Sequence, residues 1–258
     1  MDITSDTHSQ HISQQFNQDL EALKSQLMAM GGLVEKQLQE SISALLEGDS
    51  TLATRVRDND TSVNDLQLKI DEECVRILAR RQPAASDLRL VIAVIRATND
   101  LERMGDEANK IARNAIDLID AGRIPQGSVE IRHISEHVRR MLRDALTSFA
   151  RFDTDLALSV LQEDDSVDTE YTSAMRSLST FMMEDPRSIS GILNVMTVLR
   201  ALERIGDHAD NLAEHVVYLV KGRDIRHTSI DKLDAASLGQ SGPAEKHSIK
   251  RDDQPDQG

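Results

Sequence analysis

Residues 101–106 read LERMGD, and residues 202–207 read LERIGD, 101 positions later. The likeness extends beyond these hexapeptides, because residues 49–63 recur in the same way as residues 153–167 at a spacing of 104. Self-similarity at a nearly constant spacing indicates a duplicated supersecondary unit. The sequence therefore predicts a protein built from two copies of one unit.

Proline and glycine divide each copy into helical segments. Within the apolar-periodic part of the chain the only prolines are Pro83, Pro125 and Pro186, and a proline inside a helix removes a hydrogen bond and clashes with the preceding turn. Gly48 and Gly122 follow apolar-periodic stretches, where glycine commonly ends a helix. The predicted helices cover residues 12–47, 50–81, 86–121, 128–151, 154–184 and 188–221.

Apolar residues recur at steps of three and four within these segments, which places them on one face of a helix. In the first segment they are Leu20, Leu23, Leu27, Met30, Val34, Leu38, Ile42 and Leu45. The adjacent Gly31 and Gly32 predict a weak point or a kink in that helix. Strand-like alternation is absent, so the expected fold class is all-α, with two tandem repeated three-helix bundles of long antiparallel helices.

The expected layout has four parts. Polar tails without apolar periodicity are predicted to be disordered over residues 1–13 and 226–258. Between them we expect a first three-helix repeat over residues 14–124 and a second over residues 125–225.

The composition excludes some classes of function. A formal net charge of −14, the lack of tryptophan and only four Phe and two Tyr disfavour nucleic-acid binding, which usually needs a basic surface or stacking aromatic rings. Cys74 is the only cysteine, so a disulfide within the chain is impossible and a reducing compartment such as the cytoplasm fits. We expect Cys74 to be a small buried apolar residue.

Neither a secretory signal nor a membrane span is expected. The polar residues 1–15 have no basic start and no apolar stretch of the kind that a secretory signal carries. The longest purely apolar runs, residues 91–95 and 216–220, fall far short of the ~20 residues that a spanning helix needs. Any membrane contact is therefore expected to be peripheral and made through partners.

The last predicted helix carries a stripe of carboxylates. Glu203, Asp207, Asp210 and Glu214 occupy positions i, i+4, i+7 and i+11, which lie along one edge of a helix that turns 100° per residue. In the first repeat the corresponding positions are occupied by Glu102, Asp106, Asn109 and Arg113. The stripe of the first repeat is therefore the weaker of the two.

The second helix of each repeat carries a companion pair four residues apart. The pair is Asp60 and Asn64 in the first repeat, and Asp164 and Asp168 in the second. If the second and third helices of a repeat lie side by side, these oxygens converge on those of the stripe, and oxygen clusters favour divalent or trivalent cations. The ion stays open between iron, zinc, manganese and magnesium.

A structural interpretation of the same residues remains open. Acidic residues four apart on a helix commonly form a solvated face, and Arg103 and Arg204 could serve as ion-pair partners. His208 and His215 lie near the second stripe without counterparts in the first, and for them we expect surface positions rather than metal ligation.

With these elements assembled, the sequence resembles the PhoU family of regulators of high-affinity phosphate uptake. The resemblance covers about residues 14–225 and is carried by residues 83–89 (PAASDLR), residues 100–106 (DLERMGD) and the repeated residues 202–207. It implies two similar three-helix bundles side by side, with metal clusters on the surface of each bundle. It further implies a cytoplasmic protein, commonly a homodimer, without catalytic activity.

The resemblance also implies particular metal ligands. The family's Glu/Asp-x-x-x-Asp motif corresponds here to Glu102 with Asp106 and to Glu203 with Asp207. The companion motif corresponds to Asp164 with Asp168 in the second repeat. In the first repeat it corresponds to Asp60 with Asn64, where an amide replaces a carboxylate and puts full metal occupancy in doubt.

The implied partners are the nucleotide-binding subunit of a phosphate ABC importer and a phosphate-sensing histidine kinase. In this role the protein is a negative regulator of phosphate uptake and of phosphate-starvation signalling. The element Asp87-Leu88-Arg89 precedes the third helix but becomes Ser188-Ile189-Ser190 before the sixth, so the two halves are not expected to bind partners equivalently.

Two other functions remain as alternatives. A carboxylate-bridged metal enzyme of the helical-bundle type needs paired Glu-x-x-His motifs, and this sequence has one such motif, from Glu130 to His133. A metal-free helical scaffold would use the carboxylates only as a soluble face.

Overall fold

The computed structural model describes residues 3–59, 61–81, 83–122 and 127–222, with the side chains of all of these except residues 3–14 and 81. Over these residues the chain forms α-helices and one short 3₁₀ turn, and no strand. The helices are α1 (Ile3–Glu47), α2 (Ser50–Asp58), α3 (Thr61–Arg81), α4 (Ala85–Asp120), α5 (Ser128–Arg151), α6 (Thr154–Glu184) and α7 (Ile189–Lys221), with the 3₁₀ turn Pro186–Ser188 before α7. The prediction of an all-helical fold is confirmed.

Two helix boundaries differ from the prediction. Helix α1 begins at Ile3 rather than near residue 12, so most of the segment 1–13 that was expected to be a disordered tail is helical. No proline or glycine lies there to interrupt it. The predicted helix 50–81 is two helices, because α2 ends at Asn59, whose N–H donates to the carbonyls of Arg55 and Val56. Asp and Asn favour helix ends, and Asp58 and Asn59 occupy this one.

The predicted weak point at Gly31 and Gly32 is wrong, since α1 continues through both residues. A Cβ atom at position 31 would collide with a methyl group of Leu146 on α5, whereas one at position 32 would meet open space. Gly31 therefore allows a close approach between α1 and α5, and this packing holds the helix where its propensity is low.

The apolar stripe of α1 forms part of the core as predicted. All eight of its residues are buried, from Leu20 to Leu45. Burying a side chain of this size contributes about 1.5 to 3 kcal/mol, so the stripe fixes which face of α1 turns inward. Cys74 is fully buried as well, and burial together with the nearby Asp71 raises the pKa of its thiol to about 12.

Helices α4 and α7, the equivalent helices of the two repeats, run antiparallel along each other. Near the start of α4, the Arg89 guanidinium donates to the Leu219 carbonyl near the end of α7. Further along, Glu107 of α4 pairs with Arg204 of α7. Helix α6 packs beside both α5 and α7, and α1 beside α4 and α5, so side chains of α6 and α7 can meet along their shared edge.

The predicted boundary between the repeats, at residues 124 and 125, and the predicted tail over residues 226–258 lie outside the described residues. None of the described helices is both long enough and apolar enough to cross a membrane.

Candidate metal centre

Three predicted site residues of the second repeat come together where α6 meets α7. Asp168 projects from α6, and Glu203 and Asp207 project from successive turns of α7. One carboxylate oxygen from each lies within 4.8 Å of the others. Of the companion pair, Asp168 therefore converges on the stripe at this spacing.

Local sequence places these groups at the shared edge. The Asp153 side chain accepts hydrogen bonds from the N–H groups of Asp155 and Leu156 and so fixes the start of α6. Further along α6, Val167 packs against Gly206 of α7, where an added Cβ would lie 3.6 Å from a valine methyl. This contact sets the register at which Asp164 and Asp168 face the acidic stripe of α7.

Crowding of carboxylates makes their ionised forms costly. Burial, followed by the negative charges of Asp207 and Asp168, raises the pKa of Asp164 to about 6. Burial, followed by the charges of Asp164 and Glu214, raises the pKa of Asp210 to about 8. Burial and neighbouring carboxylates also raise the pKa values of Glu203 and Asp207. A cation among these groups would offset their repulsion.

One oxygen of the cluster has no partner. Glu203 Oε1 lies 3.5 Å from Arg200, but Glu203 Oε2 is buried and has no hydrogen-bond partner among the described residues. Arg204, expected as a possible ion-pair partner of the stripe, instead pairs with Glu107 on α4. A buried polar atom without a partner is costly, and a cation coordinated by Glu203 would satisfy it.

The residues present fit a hard or borderline cation. Every donor is a carboxylate oxygen, and one oxygen from each of the three residues already converges. Asp168, Glu203 and Asp207 would hold the ion, with Asp164 and Asp210 as further carboxyl groups beside them.

The first repeat has the same frame with fewer charges. Gly105 contacts Val63 as Gly206 contacts Val167, and among the described residues the oxygen nearest to a Cβ at Gly105 is the amide oxygen of Gln37. Gln37 Oε1 and Asn109 Oδ1 are both buried, and neither has a hydrogen-bond partner in the part of the chain that the structure describes. Gln37 was not predicted, and its only signal is a polar residue beside the apolar stripe of α1.

The structure describes three of the four metal ligands predicted for the first repeat. Asn64 is exposed on α3, Glu102 is partly buried and Asp106 is exposed on α4. Asp60 lies outside the described residues.

The surface positions expected for His208 and His215 are wrong. Both side chains are buried, with 7% and 5% of the residue exposed. His208 Nδ1 lies 3.0 Å from Asp100 Oδ1, and His215 Nε2 lies 2.8 Å from Asp100 Oδ2. A carboxylate only accepts, so each ring nitrogen donates. Burial alone would raise the pKa of Asp100, but the hydrogen bonds from both histidines outweigh it and lower that pKa.

The sequence did not predict this cluster, because Asp100 lies more than a hundred residues from His208 and His215. A signal was present, since Asp100 stands where the second repeat has Ala201, and His208 stands where the first repeat has Glu107. The cluster joins α4 to α7, and its member His208 directly follows Asp207 of the carboxylate site.

The fold and the cluster together define a tandem-repeat helical-bundle protein with a carboxylate site between the last two helices. The PhoU domain family model matches twice, over residues 27–115 and 131–216. The chain belongs to the PhoU family, which confirms the resemblance noted from the sequence.

Individual relatives and a solved structure agree with this family assignment. The PhoU homolog of Pseudomonas putida, a phosphate-specific transport system accessory protein, is 56% identical over 248 residues, covering 96% of this chain and 97% of the relative. The accessory protein PhoU of Escherichia coli K12 is 45% identical over 232 residues, covering 90% and 96%. The crystal structure of PhoU from Pseudomonas aeruginosa, at 59% identity, superposes with a TM-score of 0.79 over 81% of this chain and all of that one. These relatives are named as accessory proteins and not as enzymes, in agreement with the non-catalytic function expected.

Proposed function

We propose that this chain is a cytoplasmic negative regulator of phosphate uptake and phosphate-starvation signalling, acting as a metal-binding adaptor. Its relatives are named as accessory proteins of a phosphate-specific transport system. The adaptor would dock the nucleotide-binding subunit of the ABC phosphate importer on one helical face and a sensor histidine kinase on another. Two three-helix repeats, and a homodimer of them, would supply these faces.

The observation that carries the metal-binding part of the proposal is the cluster of Asp168, Glu203 and Asp207 with its unpaired Glu203 oxygen. A solvated acidic face leaves its oxygens in water, whereas here one oxygen is buried without a partner, which favours a bound cation over the metal-free scaffold. The ion, with iron, zinc, manganese and magnesium as candidates, would link α6 to α7 and shape the face they share.

Metal analysis of the purified full-length chain tests this step. We expect bound metal in the wild type and its loss in Glu203→Ala and in Asp207→Ala. Glu184→Ala, at the exposed end of α6, is the matched control and should keep the metal. An empty wild type whose variants still signal normally would support the scaffold instead.

The adaptor function is tested in cells. Deleting the gene should switch on phosphate-starvation genes in phosphate-replete medium, and the tagged chain should recover the importer subunit and the kinase from membranes of phosphate-fed cells. Silent starvation genes after deletion would contradict the regulatory function, and recovery of neither protein would contradict the adaptor mechanism.

The enzyme alternative gains no support. The Glu130-x-x-His133 motif lies at the start of α5, and His133 contacts Glu170 on α6 and not a second motif of the same kind.

A further inference from the structure

Two histidines and a glutamate, residue types that can ligate metals, lie together between α5 and α6, apart from the carboxylate site. His133 and His137 project from successive turns of α5, and both rings face the carboxylate of Glu170 on α6. His133 Nδ1 lies 3.1 Å from Glu170 Oε2, and His137 Nδ1 lies 3.4 Å from Glu170 Oε1. Two imidazoles one helical turn apart therefore share one carboxylate from the neighbouring helix.

We propose that His133, His137 and Glu170 form a binding site for a divalent transition cation of the zinc type. Imidazole nitrogen suits zinc and its neighbours, whereas magnesium and calcium prefer oxygen alone. This donor set of two nitrogens and one carboxylate is also one that zinc uses when it keeps a further position for water. The site is independent of the regulatory function proposed above.

Each imidazole already lies near one oxygen of Glu170 at the spacing of two metal ligands, although the three groups do not converge as closely as Asp168, Glu203 and Asp207 do. With metal–nitrogen and metal–oxygen bonds of about 2.0 to 2.2 Å, two ligand atoms of a tetrahedral site lie about 3.4 Å apart. The two nitrogen–oxygen distances, 3.1 and 3.4 Å, are near that value. Each ring now takes a different oxygen of Glu170, so one shared ion requires the rings to draw together.

The surroundings permit that movement. The His137 side chain is held in place with 12% of its surface exposed, whereas that of His133 is 70% exposed and can turn. An open groove of about 280 Å³ borders His133 and Glu170, and Glu130, one turn before His133, lines it too. The groove gives the ion a path from solvent, and Glu130 or water can complete its coordination.

Helix α6 separates this site from the carboxylate cluster. Asp168 faces α7 and Glu170 faces α5, because residues two apart on a helix point about 200° apart. A cation at each site would join α6 to a different neighbour, so the two sites can be tested separately.

The test uses the full-length chain, stripped of metal and then titrated with Zn²⁺ by calorimetry in the presence of excess Mg²⁺. Co²⁺, which reports nitrogen ligands through its visible absorption, is the spectroscopic probe. To remove the carboxylate site from the measurement, all titrations are made in an Asp207→Ala background. We expect one Zn²⁺ per chain and a Co²⁺ spectrum of imidazole ligation.

Variants decide whether the named residues hold the ion. Each of His133→Ala and His137→Ala should weaken Zn²⁺ binding by more than about tenfold, since removing even an indirect support of a metal ligand commonly costs that much. Glu136→Gln, exposed on the same helix between the two histidines, should leave the affinity unchanged. His133 is largely exposed, so its variant should fold even if that of His137 does not.

Two results would overturn the site. One is the absence of Zn²⁺ binding in the Asp207→Ala background. The other is Zn²⁺ binding of unchanged affinity after His133→Ala, which would place the ion on other ligands.

Discussion

The two repeats present the same helical frame with different charges. In the second repeat, Asp164 and Asp168 lie beside the stripe that contains Asp210, and burial and mutual repulsion raise the pKa of Asp210 to about 8. In the first repeat, amides take corresponding positions at Asn64 and Asn109. The comparison shows that duplication preserved the packing of each repeat while the electrostatic character of its site diverged.

The divergence extends to the joint between the repeats. Asp100 bridges His208 and His215, and the equivalent of Asp100 is Ala201. The symmetric position on the other side is instead filled by Glu107 with Arg204. The antiparallel pair α4 and α7 is therefore symmetric in backbone and asymmetric in its buried polar contacts.

The largest expected effect comes from removing the Asp100 side chain that connects α4 to α7. Asp100→Ala leaves two buried imidazoles without their acceptor, and removing one partner of a buried network commonly costs about 3 to 5 kcal/mol. Urea unfolding at pH 7 measures the loss. Asp117→Ala, exposed on the same helix, should change the free energy of unfolding by less than about 0.5 kcal/mol. Equal effects of the two substitutions would refute the importance of the bridge.

The next largest effect is the pH dependence of the free energy of unfolding without metal, which distinguishes the carboxylate site of the second repeat from the corresponding positions of the first. The folded-state pKa values of Asp164 and Asp210, about 6 and about 8, lie above the ordinary value of 3.8. The protonated groups therefore contribute stability that is fully present below about pH 4 and is lost as the pH rises through 6 and 8.

Asp210→Asn makes this position of the second repeat resemble the first. With chelator present, it should raise the free energy of unfolding at pH 9 by about 1 to 3 kcal/mol, a figure reduced for partial exposure. The gain should shrink at pH 5, and urea titrations at both pH values measure it. A gain that is the same at both pH values would show that repulsion is not the cause.

Adding a carboxylate to the first repeat tests whether its amides account for the difference in metal binding between the repeats. In an Asp207→Ala background, Asn64→Asp should tighten Mn²⁺ binding by about tenfold, because site charge tunes the affinity of oxygen ligands for hard cations. Calorimetry measures it. Asn17→Asp adds the same charge at an exposed position near the start of α1 and should have no such effect, so an equal gain there would point to general charge attraction.

The smallest expected effect concerns the paired glycines. A Cβ at Gly206 would meet Val167 at 3.6 Å, an ordinary contact, whereas at Gly105 it would meet Val63 and Gln37 at 3.4 Å. Gly206→Ala should therefore stabilise the protein by about 0.5 to 1 kcal/mol through helix propensity, and Gly105→Ala by less. Thermal unfolding of the two variants distinguishes them. A marked loss of stability at Gly206 would show that the glycine is needed for packing.

Much of this protein could be read from its sequence. The repeat, the all-helical fold and the stripe of α1 follow from local patterns, because apolar periodicity and helix-ending residues act over a few positions. The spacing of Glu203 and Asp207 likewise places them on one helical edge whatever surrounds the helix. The family followed from the same residues, since the hexapeptides that reveal the duplication also carry the resemblance.

Only the tertiary structure decided which side chains meet across helices. Asp168 reaches Glu203 and Asp207 because Val167 seats against Gly206, and Asp100 reaches His208 and His215 because α4 and α7 run antiparallel. The facing of Glu170 toward His133 and His137 depends in the same way on how α5 and α6 pack. Such contacts depend on the register and rotation of packed helices. Packing along the whole length of each helix sets both, so no short stretch of sequence encodes them.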